Sequence, residues 1–271
     1  MGRVVVIGSL NVDSVVEVER HPQPGETLMG GDLQTLWGGK GANQAVAAAM
    51  AGAETAMVGR VGGDPSGAQY VDRLRSRGID VTHLRRDEQS VTGHAAIAVA
   101  ADGENTIIVS PGANARVDAD DLSAIDGMGP GDVLLLQLEI PLTTVAEAVR
   151  RAGKRGVRAV INLAPYADVP AEVLAACDPV IVNEHEGALL TEAGLSAPSL
   201  LTTYGSKGSV WGGVEVPATR VEDVVDTTGA GDSYCGTLAA ALAAGADRET
   251  AMRAASEAAA RSVRWPGAQP A

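Results

Sequence analysis

Between residues 132 and 186 the chain repeats one pattern, a short apolar run followed by helical or polar sequence. DVLLLQLE (132–139), RAVINLAP (158–165) and PVIVNEHE (179–186) are the runs. TTVAEAVRRAGKRG (143–156) lies between the first two as a helix ending at Gly156. Short apolar runs with no alternation are strands buried on both faces, as in a parallel sheet covered by helices. The same signal opens the chain at RVVVIGSLNVD (3–13), where a strand ends at Gly8. It returns at AMVGRVG (56–62), ahead of the helical PSGAQYVDRLRSRGI (65–79). The expected fold class is α/β, with three α/β/α layers around a mostly parallel central sheet.

Two segments depart from this alternation. SVVEVERHPQPGETLMGGDLQTLW (14–37) has a period near two, broken at PQPGE, and predicts two or more strands around a turn. HAAIAVAADGENTIIVSPGAN (94–114) predicts a hairpin with Asp102-Gly103 at its turn. Lid strands drawn from about 14–37 and 94–109 would make a small β-sheet able to close over a site and exclude water. No repeat or low-complexity linker interrupts the chain, so residues 1–271 are read as one domain with a lid. Further on, SLLTTYGSKGSVWGG (199–213) predicts a strand, a glycine turn and a hairpin strand. Helices are expected from Asp232 and over 249–264.

Composition narrows the function. With 33 Gly and no Phe, the core must come from Ala, Val, Leu and Ile. A net charge of −13 without a basic stripe argues against nucleic acid and membrane as partners. No apolar run is long enough to span a bilayer. MGRVVVIGSL enters a strand directly, without the apolar core of a signal peptide. Cys177 and Cys235 show no metal spacing and suit buried thiols in a reducing cytoplasm. The chain has neither G-x-x-x-x-G-K-[ST] nor a G-x-G-x-x-G after its first strand, which excludes a P-loop and a dinucleotide fingerprint.

Three polar or glycine-rich turns remain at strand ends, where ligands sit in open α/β sheets. In Gly229-Ala230-Gly231-Asp232 the glycines let a ligand approach the backbone, and a helix N-terminus welcomes an anion. Asp232 is there either as a helix cap or as the acceptor of a proton from an attacking hydroxyl. Gly38-Gly39-Lys40-Gly41-Ala42-Asn43 is either a tight strand–helix turn or a polyol site, with Asn43 for hydroxyls and Lys40 for a phosphate. Asn183-Glu184-His185-Glu186 is either a polar strand end or a partner of hydrated magnesium. Asp13 and Asn11 follow the first strand, and Glu139 closes LLLQLE; each is a site candidate or a solvated loop residue. His21, His83 and His94 are scattered and receive no role.

Together GSLNVD, PGET, GGKGANQAVAAA, GANA, QLE, NEHE, TYGSKG, DTTGAGD and GAQP, in this order over nearly the whole chain, resemble the PfkB/ribokinase family of carbohydrate kinases. D-T-x-G-A-G-D together with GGKGAN is the specific part. The resemblance implies a ribokinase-like fold and ATP-dependent phosphorylation of the 5-hydroxyl of ribose, giving ribose 5-phosphate and ADP. It implies Asp232 as catalytic base, with Gly229, Ala230 and Gly231 as an anion hole. Asn11, Asp13, Gly39, Lys40, Gly41, Asn43 and Glu139, with Asp232, match the sugar contacts. Asn183 and Glu186 match the motif that organises magnesium and phosphate. Thr203, Gly205, Ser206, Lys207, Gly208 and Gly231 match the nucleotide contacts, and Ser256 stands where Asn or His often lies near adenine. Asp226, Thr228, Ser262, Trp265 and Gly267 fall where the family binds an activating potassium ion. Pairing of lid strands between subunits implies a homodimer.

The sequence departs from the family pattern between NEHE and TTYGSKG, where 187–202 is short for the usual further helix and strand. It ends just after GAQP, with Ala271 where a Ser ligand of the monovalent ion is usual. Two other readings accompany the leading one. The first is a kinase for another sugar or a nucleoside, disfavoured by few aromatics, with Trp37 the main stacking candidate. The second is a catalytically weakened sugar- or nucleotide-binding protein, disfavoured by the intact GAGD.

Overall fold

The computed structural model describes residues 2–270. The chain runs β1 (Val4–Ile7), β2 (Asn11–Val18), β3 (Gln34–Gly38), α1 (Lys40–Met50), β4 (Thr55–Gly62), α2 (Pro65–Ser76), β5 (Leu84–Asp87), β6 (Gly93–Ala100) and β7 (Asn105–Ser110). Two 3₁₀ segments lead to β8 (Val133–Leu136), α3 (Leu142–Lys154), β9 (Arg158–Asn162), α4 (Ala171–Ala176), β10 (Cys177–Asn183) and α5 (Glu184–Glu192). Then come β11 (Leu200–Thr203), β12 (Ser209–Trp211), β13 (Val214–Val216), α6 (Ala230–Ala243) and α7 (Arg248–Ser262).

Nine strands form the central sheet in the order β13-β12-β11-β10-β9-β8-β1-β4-β5. It is parallel from β11 through β5, with β12 and β13 antiparallel at one edge. The apolar runs divide between two cores by the period of two. Val4 and Val6 of β1, with Val133 and Leu135 of β8, face a core built with α1, α6 and α7. Val5, Ile7, Leu134 and Leu136 face the opposite core, built with α3 and α4. Burial on both faces is why these strands show no alternation.

The lid is a four-stranded sheet, β3-β2-β6-β7, in which β2 and β6 run parallel and the outer pairs antiparallel. Its hairpin turns at Gly103, whose φ of 87° suits glycine. Both expected lid segments are therefore in one sheet, but β2 starts at Asn11 and not near residue 14. The first strand ends at Ile7, next to the Gly8 expected to end it, but Asn11 and Asp13, expected in the loop beyond, already belong to β2.

Two helix boundaries also differ from expectation. The strand expected over 179–186 stops at Asn183, because Asn183 and Glu186 form a reciprocal capping box that starts α5. NEHE is a helix start, not a polar strand end. Helix α6 begins at Ala230, with Gly229 as its cap at φ 75°, so Asp232 lies inside the first turn and caps nothing. The short 187–202 interval holds the rest of α5 and then β11. Helix α4 was not foreseen.

Helix α6 lies directly on α1. A β-carbon at Gly236 would meet the Gln44 carbonyl oxygen at 2.2 Å and the Ala47 β-carbon at 2.7 Å. The contact is backbone on backbone, which only glycine permits. We expect Gly236→Ala to lose about 1–3 kcal/mol of stability through overpacking. Urea denaturation reads this; an unchanged midpoint would show that the helices can separate without cost.

Candidate active site

The first turn of α1 is held by a carboxylate. Glu139 accepts from the Lys40 N–H at 2.9 Å and from the Ser9 hydroxyl, tying the end of β8 to the start of α1. Gly39 takes φ 86°, and a β-carbon there would meet the Asn11 nitrogen at 2.6 Å. A β-carbon at Gly41 would meet the Ser9 nitrogen at 2.5 Å. These glycines bring the GGKG turn against β2, whose first residue, Asn11, is paired with Gly38. Asn114 then donates to the Asn11 side-chain oxygen at 2.7 Å and to the Leu10 carbonyl at 3.1 Å. That leaves the Asn11 amide nitrogen for another acceptor.

Asp13 lies against Gly38, close enough that a β-carbon there would meet Asp13 Oδ2 at 2.1 Å. Burial, reinforced by Glu139, pushes its carboxyl up to about 6. Burial pushes the Lys40 ammonium down, but the carboxylates of Asp232, Glu139 and Glu186 outweigh it and hold the group above the ordinary lysine value.

Asp232 is 8 % exposed and has a donor on each oxygen. Asn43 Nδ2 donates to Oδ2 at 2.9 Å and Gln44 Nε2 to Oδ1 at 2.9 Å. Burial pushes this carboxyl above its ordinary value, opposed by Lys40 and by the two amides. Around it, the α6 N-terminus offers the N–H groups of Gly231 and Asp232, which donate to no described residue. A buried carboxylate able to take a proton thus stands beside open amides at a positive helix end, which can receive an anion.

On the far side of Gly231 a cavity of about 700 Å³ opens. Asn183, Thr203, Gly205, Ser206, Gly208 and Ser256 line it, along with Gly231. Part of its lining is apolar, from Val221, Val224, Ala259, Ala260 and Val263, which suits a flat base. Lys207 does not line it; its ammonium turns to Glu184 at 3.6 Å. The Ser256 hydroxyl lies 3.0 Å from the Thr219 N–H, which donates to it.

The cation candidates fit unequally. Among the described residues no three His, Cys, Asp or Glu side chains gather as a metal cage. Magnesium that keeps its waters and takes phosphate oxygens needs less. Glu186 keeps one oxygen beyond its bond to the Asn183 N–H at 2.8 Å, so it fits that need. Asp226 accepts from the Thr228 and Gly267 N–H groups, both at 2.8 Å, and so draws the turn after residue 225 onto the 263–267 segment. A carboxylate has about four lone-pair sites, so two remain there. Thr228 and Gly267 are thus held against Asp226, whose own N–H donates to the Val263 carbonyl, between Ser262 and Trp265 in the chain. Ala271 lies outside the described residues.

Several members of this site escaped sequence reasoning: Ser9, Gln44, Tyr70, Asn114, Gln137, Asn162 and Gln269. Gln44 also donates to Asn162 at 3.2 Å and accepts from Gln137 at 2.7 Å. The available signal was a polar residue in an apolar setting: Gln44 inside an Ala-rich helix, and Gln137 in the apolar run LLLQLE, just past the end of β8.

Comparison with known proteins agrees with this geometry. The family model described as pfkB family carbohydrate kinase matches residues 1–271. A ribokinase of Bacillus subtilis is 38 % identical over 99 % of this chain and 95 % of its own. A ribokinase of Haemophilus influenzae is 36 % identical over 98 % and 94 %. The solved Arabidopsis thaliana ribokinase complexed with ribose and ATP superposes with a TM-score of 0.89 at 32 % identity, covering 100 % of this chain and 96 % of that one. Glycine turns, a buried carboxylate at an open helix start and full-length similarity converge: the chain belongs to the pfkB family of carbohydrate kinases.

Proposed function

We propose that this protein is an ATP-dependent ribokinase, with Asp232 as its catalytic base. The observation that carries the proposal is Asp232 itself, buried and doubly hydrogen-bonded between the open amides of α6 and the polar pocket under the lid. ATP lies in the 700 Å³ cavity, its base toward Ala259 and Val263 and its phosphates toward Gly231. Ribose lies against Asn11, Asp13, Gly39, Lys40, Asn43 and Glu139. The 5-hydroxyl attacks the γ-phosphorus in line and gives its proton to Asp232, while the N–H groups of the GAGD turn receive charge on the transferring group.

Four carboxylates (Asp13, Glu139, Glu186 and Asp232) against the single Lys40 ammonium make this a negative site for a nucleoside triphosphate. That balance supports a need for cations. Magnesium, when bound, would neutralise phosphate charge, held near Glu186 and Asn183. A monovalent ion would be held by Asp226 and neighbouring oxygens, stiffening the turn that leads into the anion hole.

ADP release over a panel of pentoses, hexoses and nucleosides tests this reading. Turnover is expected to be greatest on ribose, and faster in potassium than in sodium chloride. Asp232→Asn should lower kcat by about 10²–10⁴-fold, with ribose binding retained by calorimetry. Near-normal turnover in that variant would exclude Asp232 as the base.

Asp13 supports a second expectation. Its folded-state carboxyl, at about 6, lies above the ordinary value, so the folded protein binds this proton more tightly than the unfolded chain. The corresponding stability is present below the unfolded value and is lost as pH rises through about 6. Asp13→Asn should therefore raise Tm of the free protein at pH 8 while raising KM for ribose. A lowered Tm would overturn the linkage.

We also place a homodimer contact on the lid. Strand β7 is an edge, and its Ile107, Ile108 and Val109 are all exposed, Ile108 at 69 %. An apolar, unpaired edge invites a second copy. Ile108→Lys should turn a dimer into a monomer in sedimentation equilibrium; a wild-type monomer would refute the contact.

A further inference from the structure

Asp232 can hold two amide donors only if Asn43 and Gln44 present nitrogen rather than oxygen to it. For Asn43 that choice is set from outside. Gln269 Nε2 donates to Asn43 Oδ1 at 2.9 Å, so Nδ2 is the atom left for Asp232. Gln269 in turn is oriented at both ends. Its Nε2 also donates to the Tyr70 hydroxyl at 3.0 Å, and its Oε1 accepts from Arg73 Nε at 3.4 Å. The Tyr70 hydroxyl is itself committed, because it donates to the Gly38 carbonyl, which can only accept. Burial pushes the Tyr70 phenol up, so it keeps that proton.

Donation therefore runs outward from the Gln269 amide nitrogen in two arms, one through Tyr70 to the Gly38 carbonyl and one through Asn43 to Asp232. All three relaying side chains are buried. Arg73 and Arg77 both donate to the Pro270 carbonyl and anchor the segment that carries Gln269. We propose that Gln269 is a positioning residue for phosphoryl transfer, orienting Asn43 so that its amide nitrogen faces Asp232. The proposal rests on the reading of Asp232 as the base.

Without Gln269, Asn43 is free to rotate its amide. Its oxygen would then face Asp232, an arrangement that suits the protonated acid and repels the carboxylate. The charged and titratable groups otherwise facing Asp232 are Lys40 from α1, Glu139 from the end of β8, Glu186 from α5 and Cys235 from α6. Those around Gln269 are Arg73, Arg77 and Tyr70, with Asp13 beyond Tyr70. None of these is changed by Gln269→Met, which keeps length and removes polarity.

The test is the pH profile of kcat/KM for the full-length protein with ribose and ATP. Gln269→Met should move the acid limb up by about 0.5 pH unit or more, with activity recovered at high pH. Tyr70→Phe should move it the same way, and the double variant should shift by less than the sum. A purely structural role would lower kcat/KM by one factor at every pH and leave the limb in place. An unmoved limb in either folded variant overturns the relay. Asp232→Asn, assayed in parallel, separates the two readings: turnover there removes the base, whereas its loss beside an unmoved limb removes only the relay.

Discussion

The contact between α1 and α6 at Gly236 sets the distances on which the site depends. Helices packed through ordinary side chains lie 8–10 Å apart, too far for short amides to reach a carboxylate on the facing helix reliably. Glycine at the crossing removes the spacer, and Asn43 and Gln44 reach Asp232 at 2.9 Å. An Ala-rich composition serves the same end along the rest of the interface. The absence of Phe is then less a shortage than a condition for close helix packing around a polar site.

Electrostatics pulls the other way. A buried carboxylate is costly unless paired, and here the pairing is deliberately incomplete. Two neutral amides and one shared ammonium partly offset burial, and the proton affinity stays high. A fully ion-paired Asp232 would be a more comfortable residue and would take up a proton less readily. Glu139, by contrast, is satisfied by the Lys40 N–H and the Ser9 hydroxyl, and holds the GGKG turn in place. Four carboxylates in one region thus differ in task because they differ in donors.

Much of the architecture was legible because buried parallel strands leave unbroken apolar runs, and β1, β8, β9 and β10 all do. Boundaries were less legible. Gly8 marked the end of β1, but the alternation was read only from residue 14, so Asn11 and Asp13 were expected in a loop and not in β2. Gly229 and Asp232 both fit a helix start by residue type, and it is the positive φ at Gly229 that decides between them. The glycine turns of the site could be found from the sequence alone, since a turn is local. The amide network could not, since Gln44, Gln137 and Gln269 lie far apart in the chain and their meaning depends on which atom faces which. Gln137, whose Oε1 is buried without a partner among the described residues, remains a polar atom for which the fold offers no physical account.

Only Gly8-Ser9-Leu10 links β1 to β2, and the Ser9 hydroxyl is pinned to Glu139. The lid sheet joins the body again where β3 runs through Gly39 into α1, and Gly39 packs on the Asn11 nitrogen. The near end of the lid, with Asn11 and Asp13, is thus fixed to the body, while the hairpin at Gly103 is its far end. A displacement that grows along the sheet would carry the far end widely and leave Asn11 and Asp13 nearly in place.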